Sequence, residues 1–435
     1  VQVKTRKKFP NQRWQIYPQQ TELAQELAEV TNLSSVVCQL LINRGIETPE
    51  QAQLFLNPES LILPSPLEEF PDLATSLEIL QSAIAHQDKI AICGDYDADG
   101  MTSTALLLRS LRWLGAQVDY AIPSRMHEGY GINNRIVEEF AAEGVKLILT
   151  VDNGISAFAP VARARELGLQ VIITDHHDLP PELPPANAIL NPKLISKSSP
   201  YYGVAGVGVA YILAVSLAQQ MGDGYKALFK PMLELFTLGT IADLAPLIGV
   251  NRRWVKRGLQ QLPKSQLPGI QALIQLAGVQ GKSGGGMVRQ AHQPEGKREG
   301  IGASGYSPTG LEDNSRGAML APKGKALGAG FPQPEKKVNS LSLKPDDIGF
   351  RLGPRINAIG RISDPQIIID LLTTDDMGIA LERAMQCENV NRQRQEMCGQ
   401  IEQEAIALVE TEYLQSLQDD RVLLVVAANW HHGVI

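Results

Sequence analysis

The chain has 435 residues, 44% hydrophobic and 20% charged, enough for two or three ordinary domains and too balanced for a wholly disordered protein. No apolar run approaches the roughly 18 residues of a membrane span, and the basic start VQVKTRKKFPNQRW precedes no apolar secretory stretch, so a cytoplasmic protein off the membrane is expected. A net charge of -7 disfavours a protein that coats nucleic acid through bulk positive charge. Four scattered cysteines (Cys38, Cys93, Cys387, Cys398) argue against a zinc ribbon or a disulfide framework and read as buried reduced thiols.

Residues 1–74 read as a helical lead-in: TELAQELAEV has helical spacing, and INRGIETPEQAQLFLNP supplies a glycine stop, a Thr-Pro start and a proline end. From 75 the pattern alternates. KIAIC, VDYAIP, KLILTV and QVIIT read as strands, separated by the helical runs TSTALLLRSLRWLG, NNRIVEEFAAEG and SAFAPVARARELG. Such alternation predicts an α/β fold with a parallel sheet covered on both faces. After AILNP the texture turns helical, and this half is expected to complete a domain spanning 75–280. Residues 281–330 hold 13 of the chain's 38 glycines, so 281–345 reads as a flexible insertion. Helical pattern returns over 346–374 with a break near Asp364 and Pro365, and 375–418 reads as a long polar connecting helix. RVLLVVAANWHHGVI, within 419–435, reads as the first strand of a second α/β domain, cut off there.

Chemistry-bearing residues collect where the expected strands end. KIAIC runs into Gly94-Asp95-Tyr96-Asp97-Ala98-Asp99-Gly100, KLILTV into Asp152-Asn153-Gly154, and QVIIT into Asp175-His176-His177-Asp178, while TLGTIA leads to Asp243 from a helical context. In an open parallel sheet the carboxyl ends of the strands form one rim, so these acids and imidazoles are expected to converge. Carboxylates packed so closely repel, and several must hold protons unless cations neutralise them. Oxygen donors with imidazole suit manganese or magnesium and lack the sulfur that favours structural zinc. Two such ions about 3.5–4 Å apart would need a bridging carboxylate, and a water shared between them would ionise near neutral pH and attack phosphorus in line. The implied reaction is phosphoester hydrolysis. The six aspartates 95, 97, 99, 152, 175 and 243 carry all but one unit of the net charge of -7.

Each motif also has a plain structural reading, since aspartate-rich turns cap helices and Asp-Asn-Gly makes a tight turn. Their joint occurrence at successive strand ends favours a site. Arg125 in IPSRMHEGYG, and Arg355 and Arg361 in RLGPRINAIGR, are candidate phosphate contacts, with a solvated surface as the competing reading. Two glycine strings mislead: GVQGKSGGG has Leu276 where a phosphate-cradling loop needs glycine, and Gly203, Gly206 and Gly208 lack the later acid of a dinucleotide site. Close helix packing explains the second string.

Together GDYDADGMTSTALL, TVDNGIS, TDHHDLPPELPPANAILNP, LGTIADLAPL and GPRINAIGR resemble the DHH phosphoesterases, and among them the bacterial exonucleases specific for single-stranded DNA. The likeness covers about 20–280 and 346 onward. It implies Mn2+ or Mg2+ at a two-metal site, 5′ to 3′ removal of nucleotides from single-stranded DNA in recombination and repair, and a single-strand-binding protein as a partner. By motif it implies Asp97, Asp99, Asp152, His176 and Asp243 as metal ligands, Asp152 as the bridge, Asp95 as a supporting acid and His177 as donor to the scissile phosphate. Arg125 and Arg355 match phosphate-contacting positions, and Asn429, Trp430, His431 and Gly433 match the opening of a nucleic-acid-binding motif in a DHHA1 domain. Some family members carry histidine where this chain has Cys93, and Asp95 is expected to take that role. The competing readings are an oligoribonuclease or nucleotide phosphatase of the same superfamily, and a non-catalytic component of a replication complex. The helical lead-in and long connector favour the exonuclease, and the full ligand set disfavours the non-catalytic reading.

Overall fold

The computed structural model describes residues 15–124, 129–222, 226–279, 343–413, 423–431 and 433–434. Arg125 and most of the glycine-rich 281–345 stretch lie outside the described residues. Three short helices come first, α1 (Thr21–Thr31), α2 (Ser35–Ile42) and α3 (Pro49–Leu56), and local chemistry sets their ends. Ser34 accepts the Val37 amide before α2, and Thr48 and Gln51 form a reciprocal capping box ahead of Pro49. Leu27, Cys38, Leu41 and Ala52 close into a small core of their own.

A single turn α4 (Pro66–Glu69) leads to α5 (Leu73–His86) and the sheet. In order follow β1 (Lys89–Cys93), α6 (Ala98–Trp113), β2 (Gln117–Ala121), α7 (Asn134–Ala142), β3 (Leu147–Val151), α8 (Phe158–Glu166), β4 (Gln170–Thr174) and β5 (Ala188–Leu190). The strands lie in the order β2-β1-β3-β4-β5, every pair parallel. Alternate strand residues serve two cores, which is why the strands read as apolar throughout. Ile90, Ile92, Leu147, Leu149 and Ile172 join the core built with α5 and α6, whereas Ala91, Cys93, Ile148, Val171 and Ile173 pack with α7 and α8. The chain leaves β1 for β2 on one side and crosses to β3 on the other. The carboxyl ends of β1 and β3 therefore flank the crevice where sheets of this order bind ligands.

Helix α6 is buried along nearly its whole length, so its polar residues need internal partners. Thr102, Ser103, Thr104 and Ser110 each donate to a carbonyl one turn back, at 2.7–2.8 Å. The helical half comprises α9 (Gly206–Met221), α10 (Lys226–Ala242), α11 (Gly249–Gln261) and α12 (Pro268–Leu276). After the undescribed stretch come a turn α13 (Pro345–Asp347), a π-helical turn Ile348–Leu352, α14 (Gly353–Ile362), α15 (Gln366–Thr373) and α16 (Met377–Leu408). The break expected near Asp364 and Pro365 separates α14 from α15. At Gly208 of α9 a methyl would lie 2.7 Å from Val204, just ahead of the same helix, and 3.4 Å from Phe236 of α10, an ordinary contact, so the expected close helix packing is not required there. In α16 the buried residues, Ala380, Ala384, Cys387 and Asn391, all fall in its first half, which packs on α12, α14 and α15.

Of the strand expected in RVLLVV, residues 421–422 lie outside the described residues, and 423–427 pair with no strand among the described residues. The period-two pattern is kept, with Leu424 and Val426 exposed and their neighbours half-buried, but alternation makes a strand only when a ladder partner is present. The segment that follows docks on α16 instead, where Trp430 Nε1 donates to Glu404 Oε2 at 2.8 Å. All four cysteines are free, and Cys38, Cys93 and Cys387 are buried. Among the described residues no helix is long and apolar enough to cross a membrane.

Helix α14 presses on the Asp95–Asp99 turn so closely that a methyl on Gly360 would overlap the Tyr96 carbonyl oxygen. Gly360→Ala is expected to lower stability by about 1–3 kcal/mol, read from urea unfolding. A wild-type midpoint would show that α14 does not press on this turn.

Candidate metal centre

Strand register aligns the site. Cys93 pairs with Thr150, Val151 with Thr174 and Thr174 with Leu190, so the residues that follow β1, β3, β4 and β5 emerge side by side. The ladder extends one step past the strands: Asp152 N–H donates to the Thr174 carbonyl at 2.9 Å and Asp175 N–H to the Leu190 carbonyl at 3.0 Å. Asp97 caps α6, its Oδ1 accepting the Gly100 amide at 3.0 Å. The helix-cap reading of GDYDADG is therefore correct for Asp97, and it coexists with the site.

Asp99, one turn into α6, is buried and accepts two amides from the start of α9, Gly206 N–H at 2.7 Å and Val207 N–H at 2.8 Å. A methyl on Gly206 would lie 2.8 Å from Asp152 Oδ1, so this glycine also permits the close approach of α9. Asp152 adopts a left-handed backbone, φ +60°, which costs about 1–2 kcal/mol for a residue with a Cβ. Neighbours hold it there. Asn153 Nδ2 donates to the Val151 and Cys93 carbonyls at 2.9 and 3.0 Å, and Tyr130 Oη donates to the Asp152 carbonyl at 2.7 Å.

Side-chain donor atoms converge in three groups, each within 4.8 Å: Asp95, Asp97 and Asp152; Asp99, His176 and Asp243; Asp152, His176 and His177. His176 Nε2 lies 3.0 Å from Asp152 Oδ1 and 3.6 Å from Asp99 Oδ2. Asp95 Oδ1 and Asp152 Oδ1 are buried without a hydrogen-bond partner, so their lone pairs face inward and unsatisfied. Such atoms are costly unless a cation meets them. Burial, then Asp97, pushes Asp95 up to about 7, and burial, then Asp97, pushes Asp243 up to about 7. Asp99 and Asp152 also stand well above the usual carboxylate range through burial and neighbouring aspartates. This is a site able to hold Mn2+ or Mg2+, with oxygen donors, an imidazole and no sulfur. Cys93 packs in the core with α7 and α8, its thiol pushed up to about 12 by burial and by Asp95, and Asp95 is among the converging donors.

The two adjacent histidines are driven apart. Burial, then His177, lowers His176 to about 4, leaving a neutral imidazole suited to a metal. The Asp175 carboxylate, 2.7 Å from His177 Nδ1, raises His177. Burial alone would raise Asp175, but the bond to His177 and the amides of Ile155 and His177 hold it below the usual range.

The family model described as the DHH family, N-terminal domain, matches residues 89–240. A Bacillus subtilis (strain 168) relative, the single-stranded-DNA-specific exonuclease RecJ, is 34% identical over 423 residues, 97% of this chain and 45% of the relative. The Escherichia coli (strain K12) protein of the same name is 31% identical over 415 residues, 93% and 60% of the two chains. Residues 89–240 carry a DHH-family N-terminal domain. A crystal structure of exonuclease RecJ bound to manganese matches this chain with a TM-score of 0.62 at 28% identity, over 86% of this chain and 76% of that one. RecJ from Thermus thermophilus in complex with Mn2+ matches with a TM-score of 0.67 at 25% identity, over 95% and 49%. This chain spans about half the length of the curated relatives it matches, 45% and 60% for the two above.

The acids and histidines read from the DHH motifs thus meet, and the arginines fare differently. Arg355 Nε is 2.6 Å from Glu388 Oε2 of α16, and its Nη1 donates to the Arg351 carbonyl. Arg361 is half-buried near the end of α14, and its carbonyl would be met by a methyl on Gly433. Asn429 and Trp430 both donate to Glu404, and His431 Nδ1 accepts the Gly433 amide at 3.1 Å. Sequence reasoning gave no role to Tyr130, Asn191 or Asn357. Tyr130 Oη lies 3.3 Å from His177 Nδ1, Asn191 Nδ2 donates to the His177 carbonyl, and Asn357 Oδ1 accepts the Ala98 amide at 2.8 Å.

The metal-free protein is expected to lose stability as pH rises from about 4 to about 7. Asp95 and Asp243 keep protons to about 7 when folded but only to their ordinary 3.8 when unfolded, so the folded state binds more protons across that window. His176 acts oppositely, folded at about 4 against 6.5 unfolded, but four raised acids outweigh it. Urea titrations of chelator-treated protein read the slope. Mn2+ should restore stability most at the upper end, because its ligands bind deprotonated. A flat profile would contradict the raised acids.

Proposed function

We propose that this chain is a metal-dependent exonuclease that hydrolyses phosphodiester bonds of single-stranded DNA, 5′ to 3′, in recombination and repair. The observation that carries the reading is the meeting of three acid and imidazole groups at the β1–β3 crevice, with two buried carboxylate oxygens that accept no hydrogen bond. The names of the RecJ relatives support the substrate. Asp97, Asp99, Asp152, His176 and Asp243 would hold two ions, with Asp152 shared between them and Asp95 a supporting acid. Divalent ions, when bound, supply the Lewis acidity and lowered water pKa that phosphodiester hydrolysis needs.

The chain's own groups do the rest. His177, biased by Asp175 toward its protonated form, presents a donor to the scissile phosphate, and Tyr130 packs edge-on against its ring. Arg125, Arg355 and Arg361 serve the nucleic-acid backbone in this reading, Arg355 exchanging Glu388 for phosphate. Asn429, Trp430, His431 and Gly433 belong to a nucleic-acid-binding DHHA1 region over 419–435. The other segments are the lead-in 1–74, the catalytic parts 75–280 and 346–374, the insertion 281–345 and the connector 375–418. A cytoplasmic location and a single-strand-binding protein as partner belong to the same proposal.

Mononucleotide release from a 5′-phosphorylated single-stranded oligomer with Mn2+ tests the reading. Asp152→Asn, which keeps a side chain tolerant of the left-handed backbone, is expected to abolish release while leaving thermal unfolding near wild type. His177→Ala should reduce kcat about 100-fold. Equal release from DNA and from a matched ribose oligomer would favour an oligoribonuclease instead, and full activity in Asp152→Asn would sink the two-metal reading.

A further inference from the structure

Helix α11 meets the lead-in through three arginines whose charges are treated unequally. Arg253 and Arg257 both pair with Glu59, and Arg253 Nη1 also donates to the Leu61 carbonyl at 2.7 Å. Arg252 has no acid within ion-pair distance among the described residues. Its Nε donates to the Phe55 carbonyl and its guanidinium lies 3.6 Å from the Phe55 ring centroid, which orients the fork without neutralising it. Burial, then the charge of Arg44, pulls Arg252 below its ordinary value, so a like charge is the one that it feels. A half-buried guanidinium held in this way is matched by an anion from outside.

Two cavities share Arg252 and Pro58 as a common wall. One, of about 410 Å3, is bordered by Leu54, Phe55, Ile62 and Ile248, and the other, of about 290 Å3, by Leu56, Val255 and Leu259. Lys197 borders the first and Lys256 the second, and among the described residues no aspartate or glutamate borders either. Leu54, Leu56, Ile62 and Ile248 are exposed, so apolar surface meets solvent beside an unmatched positive charge. A nucleic-acid strand suits these walls poorly, because it needs open aromatic faces and the Phe55 face is already taken by Arg252.

We infer that this face docks a peptide segment of a partner protein in which one carboxylate is flanked by apolar side chains. The carboxylate takes the Arg252 fork, and an apolar side chain enters each of the two cavities. A small carboxylate would match the guanidinium but fill one cavity at most, whereas a peptide spans both. The inference stands apart from the phosphodiesterase reading, since only Ile248, Tyr202 and Gly203 are shared with the cavity beside the acids and no candidate metal ligand borders either space.

Fluorescence anisotropy of a panel of labelled, end-blocked nonapeptides, each with a central aspartate between leucines or phenylalanines, titrated with the full chain, tests the docking. The tightest probe is expected to lose about ten-fold in affinity when its aspartate becomes asparagine. Arg252→Gln, which keeps a donor for the Phe55 carbonyl, should cost the aspartate probe the same ten-fold or so and leave the asparagine probe unchanged. Were Arg252 needed only to seat the lead-in, both probes would weaken alike, which overturns the inference. Ile62→Glu changes a side chain that is 91% exposed, leaves the contacts of Arg252 in place, and should also weaken the aspartate probe about ten-fold by repulsion. Wild-type affinity in Ile62→Glu, equal binding of aspartate and asparagine probes, or no probe bound below about 1 mM would likewise overturn it.

Discussion

Mutual repulsion among buried carboxylates is the constraint around which this structure is organised. Asp95, Asp97, Asp99, Asp152 and Asp243 would separate if the chain let them, yet each is tied to an element that cannot move independently. Asp97 and Asp99 begin a helix buried along nearly its full length, Asp152 extends the ladder of a central strand, and Asp243 follows the end of α10. Backbone amides then satisfy some oxygens and leave others bare. Asp99 takes two amides from α9, while Asp95 and Asp152 each keep a buried oxygen that accepts no hydrogen bond. Rigid elements thus hold open a deficit that only positive charge can fill.

The His176-His177 pair shows the same logic at finer scale. One dipeptide yields two different imidazoles because one ring is turned into the acids and the other toward Asp175. Their rings lie 4.6 Å apart, close enough that each opposes a charge on the other. A carboxylate that accepts from one ring nitrogen fixes the ring's tautomer and orientation. Asp175 has that position for His177, and its own charge is secured by three backbone amides.

The sheet and the acids were legible in the sequence, and the reason is physical. Strands buried on both faces cannot hide, since KIAIC, LILTV and QVIIT are apolar runs bounded by turns, and chemistry at their carboxyl ends is carried by residue type. What was illegible depends on distant or featureless partners. The amides of Gly206 and Val207 leave no side-chain signature, so the glycine string read as packing alone, although it also serves Asp99. Asn357 acts through a bond across 259 residues and Tyr130 through contacts to Asp152 and His177, and nothing in the spacing of RINAIG or GYG announces them. The alternation in LLVVA, 423–427, pairs with no strand among the described residues for a related reason: alternation is a local property, whereas a ladder needs a second strand.

The bond between Asn357 and the Ala98 amide joins residues 259 apart in the chain. Ribosomes add about 5–20 residues per second, so tens of seconds separate the synthesis of the aspartate turn from that of the helix that seats against it. During that interval the sheet can form and its acids can stand together, but Tyr96 and Ala98 still lack the surface of α14. The nascent chain must therefore tolerate a half-finished, highly charged turn, and the site reaches its final shape only once α14 has been made.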